Sequence, residues 1–105
     1  MNSTRKRRVP DLAITPLARE DVKEIGRYTQ RTWGVAQRDV YLRGFAALFE
    51  RLRTGAIVGR LRSEVRDGLL CYPYNRHLVF FRRDRHGDVV ILRVLHERMD
   101  FERHL

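Results

Sequence analysis

The sequence lacks several features, and each absence excludes a class of protein. Cys71 is the one cysteine among 105 residues, so no internal disulfide can form and a reducing cytoplasm is the expected compartment. No apolar run approaches the ~18 residues of a membrane-spanning helix, so we expect no membrane partner. The basic N-terminus is not followed by an apolar segment and is therefore unlike a secretory signal peptide.

Acidic residues and lysines are also scarce. The chain has 22 Lys+Arg against 13 Asp+Glu, which gives a formal net charge of +9. Lys6 and Lys23 are the only lysines, and the other basic residues are arginines, whose planar guanidinium binds carboxylates and phosphates through paired hydrogen bonds. We therefore expect an acidic partner, either nucleic acid or an acidic protein segment.

The usual patterns of metal and nucleophile sites are missing from the sequence. No ligand spacing relates the four histidines, which are His77, His86, His96 and His104. No glycine elbow surrounds Ser3, Ser63 or Cys71, and we interpret Cys71 as a small core residue. The sequence therefore predicts no metal, no cofactor and no nucleophilic catalysis.

Cleavage of RNA by acid–base chemistry is the enzymatic alternative. It needs a base, an acid and cations that stabilise the developing phosphorane charge. Cations are available at Arg60, Arg62, Arg76, Arg82, Arg83 and Arg93. His96 and Glu64 are candidate bases, but neither lies in a motif beside these arginines. We favour His96 as a hydrogen-bonding residue where a strand ends, and we assign no catalytic residue.

The first half of the chain predicts an N-terminal arm and a helix hairpin. Residues 1–9 form a basic arm, and residues 10–105 form a single domain that begins with a short strand over residues 11–14. Thr15 can cap a helix that begins at Pro16 and stops at Gly34. Apolar residues repeat at helical spacing over residues 36–54, and Gly55 is the next stop signal.

The second half predicts strands. We expect an irregular link over residues 55–67, strands over 69–72, 76–83 and 89–95, a turn at 73–75, a hairpin loop at 84–88 and one helical turn over 99–105. The Val, Ile and Leu run of the last strand indicates burial on both faces and a central position. The predicted fold is α+β, in the order β-α-α-β-β-β, with the helix hairpin packed on a small antiparallel sheet.

Three aromatic residues, Tyr28, Trp33 and Tyr41, lie on or near the hairpin. Aromatic residues at helical spacing are mostly core, which is the interpretation we favour for them. The alternative is that Trp33, next to Gly34 at a helix end, exposes its ring to a partner.

The order and spacing of four segments resemble the ParE branch of the RelE/ParE toxin superfamily, from about Leu12 to the C-terminus. The segments are residues 18–25 with Tyr28-Thr29, Trp33-Gly34 with Tyr41-Leu42, Gly59-Arg60 with residues 66–69, and residues 76–82 with residues 91–100. Most specific is the ending Arg93-Val94-Leu95-His96-Glu97-Arg98-Met99-Asp100, which is close to a ParE motif.

The resemblance implies a RelE/ParE-like fold and the toxin of a type II toxin–antitoxin system. Such toxins are associated with DNA gyrase inhibition and are neutralised by a ParD-like antitoxin, through which operator DNA is bound indirectly. RelE-like, ribosome-dependent mRNA cleavage is the alternative, although the chain ends in Arg103-His104-Leu105 without the terminal Tyr of some nucleases. A third possibility is a degenerate toxin that binds antitoxin without toxicity.

Two sets of contact residues are expected. The antitoxin is expected to cover a groove between the hairpin and the sheet, with contacts at Tyr28, Trp33, Tyr41, Phe45, Arg62, Arg76 and Arg82. The target is expected to contact Arg93, His96, Arg98 and Arg103.

Overall fold

Two long helices and a five-stranded sheet form the fold in the computed structural model, which describes residues 9–105. The elements are β1 (Leu12–Ile14), α1 (Pro16–Trp33), α2 (Val35–Thr54), β2 (Arg60–Leu61), β3 (Leu70–Tyr74), β4 (His77–Arg83), β5 (Val89–His96) and α3 (Phe101–His104). Nearly all of the predicted basic arm lies outside the described residues, so the division into arm and domain stays a prediction. Along residues 9–105, no helix is long and apolar enough to cross a membrane.

Local capping sets the ends of the helix hairpin, as predicted. Thr15 Oγ1 accepts a hydrogen bond from the Ala18 N–H at 3.0 Å, and Pro16 is the first helical residue. Gly34 lies between the helices at φ 95°, and Gly55 ends α2 at φ 81°, both conformations that favour glycine. These local signals confirm both predicted helices to within one residue.

The two helices run antiparallel and contact each other on both sides of Gly34. Arg38 donates from Nη1 to Gln30 Oε1, and a Cβ built on Gly26 would lie 3.4 Å from Leu42 Cδ1. From one contact pair to the next, the residue number falls along α1 and rises along α2, as antiparallel packing requires. The hairpin therefore brings one apolar face of each helix against the sheet.

The sheet has the strand order β1-β5-β4-β3-β2, and its directions are mixed. Strands β3, β4 and β5 pair antiparallel, as predicted, and the additional strand β2 pairs antiparallel with β3. β1 pairs parallel with β5, so the prediction of an antiparallel sheet was wrong for this strand. Two helices separate β1 from the next strand, so no tight turn fixes its direction. β5 lies inside the sheet, between β1 and β4, as its predicted burial on both faces requires, although β4 is the middle strand.

Two predicted boundaries around β3 were wrong. The link over residues 55–67 contains the short strand β2, and Pro73 and Tyr74 belong to β3 rather than to a turn. β2 pairs only with Leu70 and Cys71, so no second strand lies beside Pro73. The N–H that proline lacks is therefore not needed for a hydrogen bond to such a strand. The turn is made instead by Asn75, at φ 54°, and Arg76.

Each face of the sheet carries its own apolar core. Val79 and Phe81 pack beneath the helices, whereas Phe80 packs on the opposite face, which we call the second face. The pairing of β4 with β5 shifts at Phe80 and Phe81, so that Leu92 is an extra residue in β5. The second face is covered by α3 and by the segment that precedes β3.

Candidate partner-binding groove

A cavity of about 940 Å³ opens where the tip of the helix hairpin meets the ends of β4 and β5. We call it the hairpin–sheet groove. Aromatic residues of both helices, two histidines of the sheet and a methionine contribute to its walls. They are Tyr28 and Trp33 of α1, Tyr41 of α2, His77, His96 and Met99. The groove is therefore built from residues that are far apart in the sequence.

A hydrogen-bonded aromatic cluster forms the floor of the groove. The Tyr41 hydroxyl lies 2.7 Å from His77 Nδ1, and the Tyr74 ring stacks on Tyr41 with 5.1 Å between centroids. The Tyr74 hydroxyl also donates to the Tyr41 carbonyl at 3.3 Å. Burial raises the pKa of both Tyr41 and Tyr74, so both phenols stay neutral near pH 7. The floor is thus made of side chains that are hydrogen-bonded and stacked on one another.

A glycine inside α2 makes room for this cluster. A Cβ on Gly44 would lie 1.6 Å from Tyr74 Oη and 2.6 Å from Tyr74 Cζ. This contact was not predicted from the sequence, although a glycine in the middle of a helix is a signal of close approach. A side chain at residue 44 would therefore displace Tyr74, which stacks on Tyr41 of the groove floor.

Two histidines face each other across the strands at one end of the groove. His77 pairs with His96 across β4 and β5, and their rings meet edge-on with 5.5 Å between centroids. His96 Nδ1 accepts the Arg98 backbone N–H at 3.1 Å, which confirms the interpretation of His96 as a hydrogen-bonding residue at the strand end. Burial, and then the nearby His96, lower the pKa of His77, which is therefore neutral at pH 7.

The rim of the groove is aromatic. Trp33 is 71% exposed and Tyr28 is 60% exposed, so the interpretation of these two residues as core was wrong. Trp33 is the last residue of α1, at the hairpin tip, where the buried face that contains Ile25 and Thr29 has ended. Exposed tryptophan and tyrosine side chains around a concavity are typical anchors of protein–protein interfaces.

The charge at the rim is mainly positive. Arg31 and Arg76 line the groove, and the Arg76 side chain is 71% exposed, with Glu97 at 3.7 Å. Glu24 also lines the groove, but Arg27 binds its carboxylate at 3.1 Å. An acidic group entering the groove would therefore meet two accessible guanidinium groups.

The structure brings together only part of the predicted antitoxin set. Tyr28, Trp33, Tyr41 and Arg76 line the groove. Phe45 is 1% exposed and packs behind Tyr41 and Tyr74, so its prediction as a contact residue was wrong.

Two predicted antitoxin contacts lie elsewhere. Arg62 has its guanidinium carbon 5.7 Å from the centre of the Phe101 ring, on the second face, and Arg82 is on the same face. Neither arginine lines the groove: Arg82 lies on the face of β4 opposite the helices, and Arg62 follows β2 and packs over α3.

The predicted target set is also dispersed. His96 lines the groove, with Arg98 exposed two residues further along the chain, whereas Arg103 is exposed on α3. Arg93 donates two hydrogen bonds to Asp21, at 2.8 and 2.9 Å, and its side chain is 16% exposed. The Arg93 guanidinium therefore holds β5 to α1, which leaves it little capacity for a partner.

Comparison with known proteins identifies the family. The profile described as "ParE toxin of type II toxin-antitoxin system, parDE" matches residues 12–101. The chain belongs to this family. It is 34% identical over 92 residues to Toxin ParE1 of Mycobacterium tuberculosis (strain ATCC 25618 / H37Rv), across 88% of this chain and 94% of that protein. It is 32% identical over 87 residues to Toxin ParE of Escherichia coli, across 83% and 84% of the two chains.

A solved structure agrees with the ParE assignment at the level of the fold. A chain of the chromosomal ParDE TA system from P. aeruginosa superposes with a TM-score of 0.71 at 18% identity, covering 84% of this chain and 96% of that chain. The RelE/ParE-like α+β fold expected from the sequence is thereby confirmed.

Proposed function

We propose that this ParE-family chain is a toxin that inhibits DNA gyrase by binding it, and that a ParD-like antitoxin neutralises it by occupying the hairpin–sheet groove. The observation that carries the proposal is the pair of exposed aromatic residues, Trp33 and Tyr28, beside a preformed concavity. The ParDE relative supports an antitoxin as the kind of partner.

The groove suits an amphipathic protein segment. Apolar side chains of that segment would lie between Trp33 and Met99, above the floor made by Tyr41 and His77. Carboxylates beside them would pair with Arg31 and Arg76. Anchors of this type commonly contribute at least about 2 kcal/mol each, whereas exposed ion pairs chiefly speed association.

A binding mechanism fits the arrangement of the groove better than catalysis does. His96 accepts a backbone hydrogen bond through Nδ1 on the helix side of the sheet, whereas Arg82 lies on the second face. Arg76 is the candidate cation that shares the groove with His96, and it is paired with Glu97 at 3.7 Å. In the proposal, Arg98 and His96 contact gyrase at the edge of the groove, and Arg103 makes a separate contact. An antitoxin in the groove then blocks access to the first of these surfaces.

Supercoiling of relaxed plasmid by purified gyrase tests the proposed target. Added toxin should reduce supercoiling or trap cleaved DNA, and the ParD-like antitoxin encoded beside it should restore activity. Arg98→Gln should weaken inhibition, whereas Arg43→Gln, at an exposed position of α2 outside the groove, should not. Full supercoiling without a cleaved-DNA complex at saturating toxin would eliminate gyrase as the target.

One observation keeps mRNA cleavage as the second candidate. His104 shares a small pocket with Arg66, Arg82 and Arg93 on the second face, so a proton-transfer group lies near cations there. Primer extension on translated mRNA after induction distinguishes the two functions. Codon-phased cuts that disappear in the His104→Ala and Arg82→Ala variants would favour the nuclease, and growth arrest without cuts would favour gyrase binding.

A further inference from the structure

A second concavity lies on the opposite side of the sheet from the hairpin–sheet groove. It has a volume of about 230 Å³. Arg66, Arg82, Arg93 and His104 supply its polar wall, and leucines such as Leu92 supply its apolar wall. We call it the arginine pocket.

Arg82 is held in the pocket without losing its charge. Its Nη1 donates to the Asp67 carbonyl at 2.7 Å, and a Cβ on Gly68, which has φ 74°, would lie 3.0 Å from the same nitrogen. The backbone at residues 67 and 68 therefore packs directly against the guanidinium. Because a carbonyl carries no formal charge, Arg82 is oriented but not neutralised.

The other two arginines of the pocket differ in their charge balance. Arg93 is paired with Asp21 and donates to the His104 carbonyl at 3.1 Å, so its charge is balanced. Arg66 is exposed, and within residues 9–105 it forms no ion pair. The pocket thus presents two uncompensated guanidinium groups, at Arg66 and Arg82, above a leucine wall.

Positive charge continues along the second face beyond the pocket. Arg60 is the cross-strand partner of Cys71, so its side chain lies on the face where Cys71 is buried. Arg62 packs over Phe101 on the same face, although Glu64 forms an ion pair with it. Arg60 and Arg62 therefore lie on the same face of the sheet as the arginine pocket.

We propose that the arginine pocket binds a phosphodiester phosphate of a nucleic-acid strand. Arg66 and Arg82 hold the phosphate oxygens through their guanidinium forks, the leucine wall receives the adjoining sugar, and Arg60 faces a neighbouring phosphate. Several guanidinium groups on one face match the repeated charge of a nucleic-acid backbone, whereas a single carboxylate would use only one site. Binding of nucleic acid at the arginine pocket requires neither gyrase nor the hairpin–sheet groove.

Fluorescence anisotropy of labelled duplex DNA, single-stranded DNA and RNA, titrated with the full chain over a range of salt concentrations, tests this site. For duplex DNA, log K falls with log salt by about 0.9 for each phosphate contact, so loss of one contact makes the slope shallower by about 0.9. Between 1 M and 0.1 M salt this change in slope corresponds to about an eightfold smaller gain in K. We expect this loss for Arg66→Gln and again for Arg82→Gln, with a smaller loss for Arg66→Lys. The probe bound most tightly identifies the kind of strand.

The controls separate a site from general charge. Arg43→Gln removes the same charge from an exposed position on α2, and the first eight residues are the same in every variant. Equal losses in Arg43→Gln and Arg66→Gln, or no loss in Arg66→Gln, would overturn the proposal. So would tighter binding of a polyglutamate peptide with the same dependence on Arg66 and Arg82, because the pocket would then serve an acidic protein. Within residues 9–105 the Arg66 side chain makes no hydrogen bond, so Arg66→Gln should leave the fold intact. A loss of binding in this variant would therefore report the pocket itself.

Discussion

Replacement of Gly44 by alanine tests how the helix hairpin and the groove floor depend on each other. In an isolated helix the change stabilises by about 1 kcal/mol, because glycine loses more backbone entropy on folding. Here the new Cβ would lie 1.6 Å from Tyr74 Oη and 2.6 Å from Tyr74 Cζ, so the ring must move. Both atoms belong to a rigid ring that stacks on Tyr41 and packs edge-on against Phe45.

The size of the effect follows from the contacts that move. Overpacking costs about 1–3 kcal/mol, and loss of the Tyr74 hydrogen bond to the Tyr41 carbonyl costs about 1 kcal/mol. After the gain in helix propensity, we expect Gly44→Ala to lower the free energy of unfolding by about 2 kcal/mol. For a domain of this size the midpoint of thermal unfolding should fall by about 10 °C.

A double-mutant cycle followed by circular dichroism and urea unfolding isolates the contact. In a Tyr74→Ala background the clash is absent, so Gly44→Ala should become stabilising, by up to about 1 kcal/mol. Ala46→Gly, at an exposed position of the same helix, should lose about 1 kcal/mol from helix propensity alone. If Gly44→Ala had the same effect in both backgrounds, the close approach of Tyr74 could not be the reason for the glycine.

Two further changes test other parts of the structure. Asp21→Ala should destabilise the fold by about 2–3 kcal/mol in urea unfolding, because it leaves the Arg93 guanidinium and the Val94 N–H without the acceptor that Asp21 provides. Asp39→Ala, in the more exposed pair with Arg38, should change stability by at most about 1 kcal/mol. Similar losses in both would contradict the role given to Asp21. Since burial lowers the pKa of His77 in the folded chain, the unfolded chain binds its proton more readily, and stability should fall as pH drops below 6.5. His77→Gln should make that loss of stability shallower between about pH 7 and pH 5. An unchanged slope would show that the burial of His77 does not cause the loss of stability at low pH.

The helices were predictable because their signals are local. Thr15-Pro16 begins α1, and Gly34 and Gly55 end α1 and α2, each through backbone within one helical turn. All three boundaries occur in the structure as predicted. The hairpin strands β4 and β5 were predictable for the same reason. The direction of β1 was not, since two helices intervene before the next strand and only the completed sheet determines its neighbour.

The groove was only partly predictable, because exposure depends on where elements end in space. Trp33 has the spacing of a core residue, but α1 carries it to the hairpin tip, where it is exposed. Phe45 has similar chemistry and is buried. The approach of Tyr74 to Gly44 joins β3 to α2 across thirty positions of the chain, and no periodic pattern records such a contact.

The most direct test of the proposed groove is the affinity of the ParD-like antitoxin for two matched variants, measured by isothermal titration calorimetry. Trp33→Ala removes the exposed anchor at the rim, and Val40→Ala removes an exposed apolar side chain of α2 outside the groove. We predict that Trp33→Ala weakens binding by about thirtyfold, equivalent to about 2 kcal/mol, and that Val40→Ala leaves it unchanged. Unchanged affinity in Trp33→Ala, with the fold intact, would contradict the assignment of the groove as the antitoxin site.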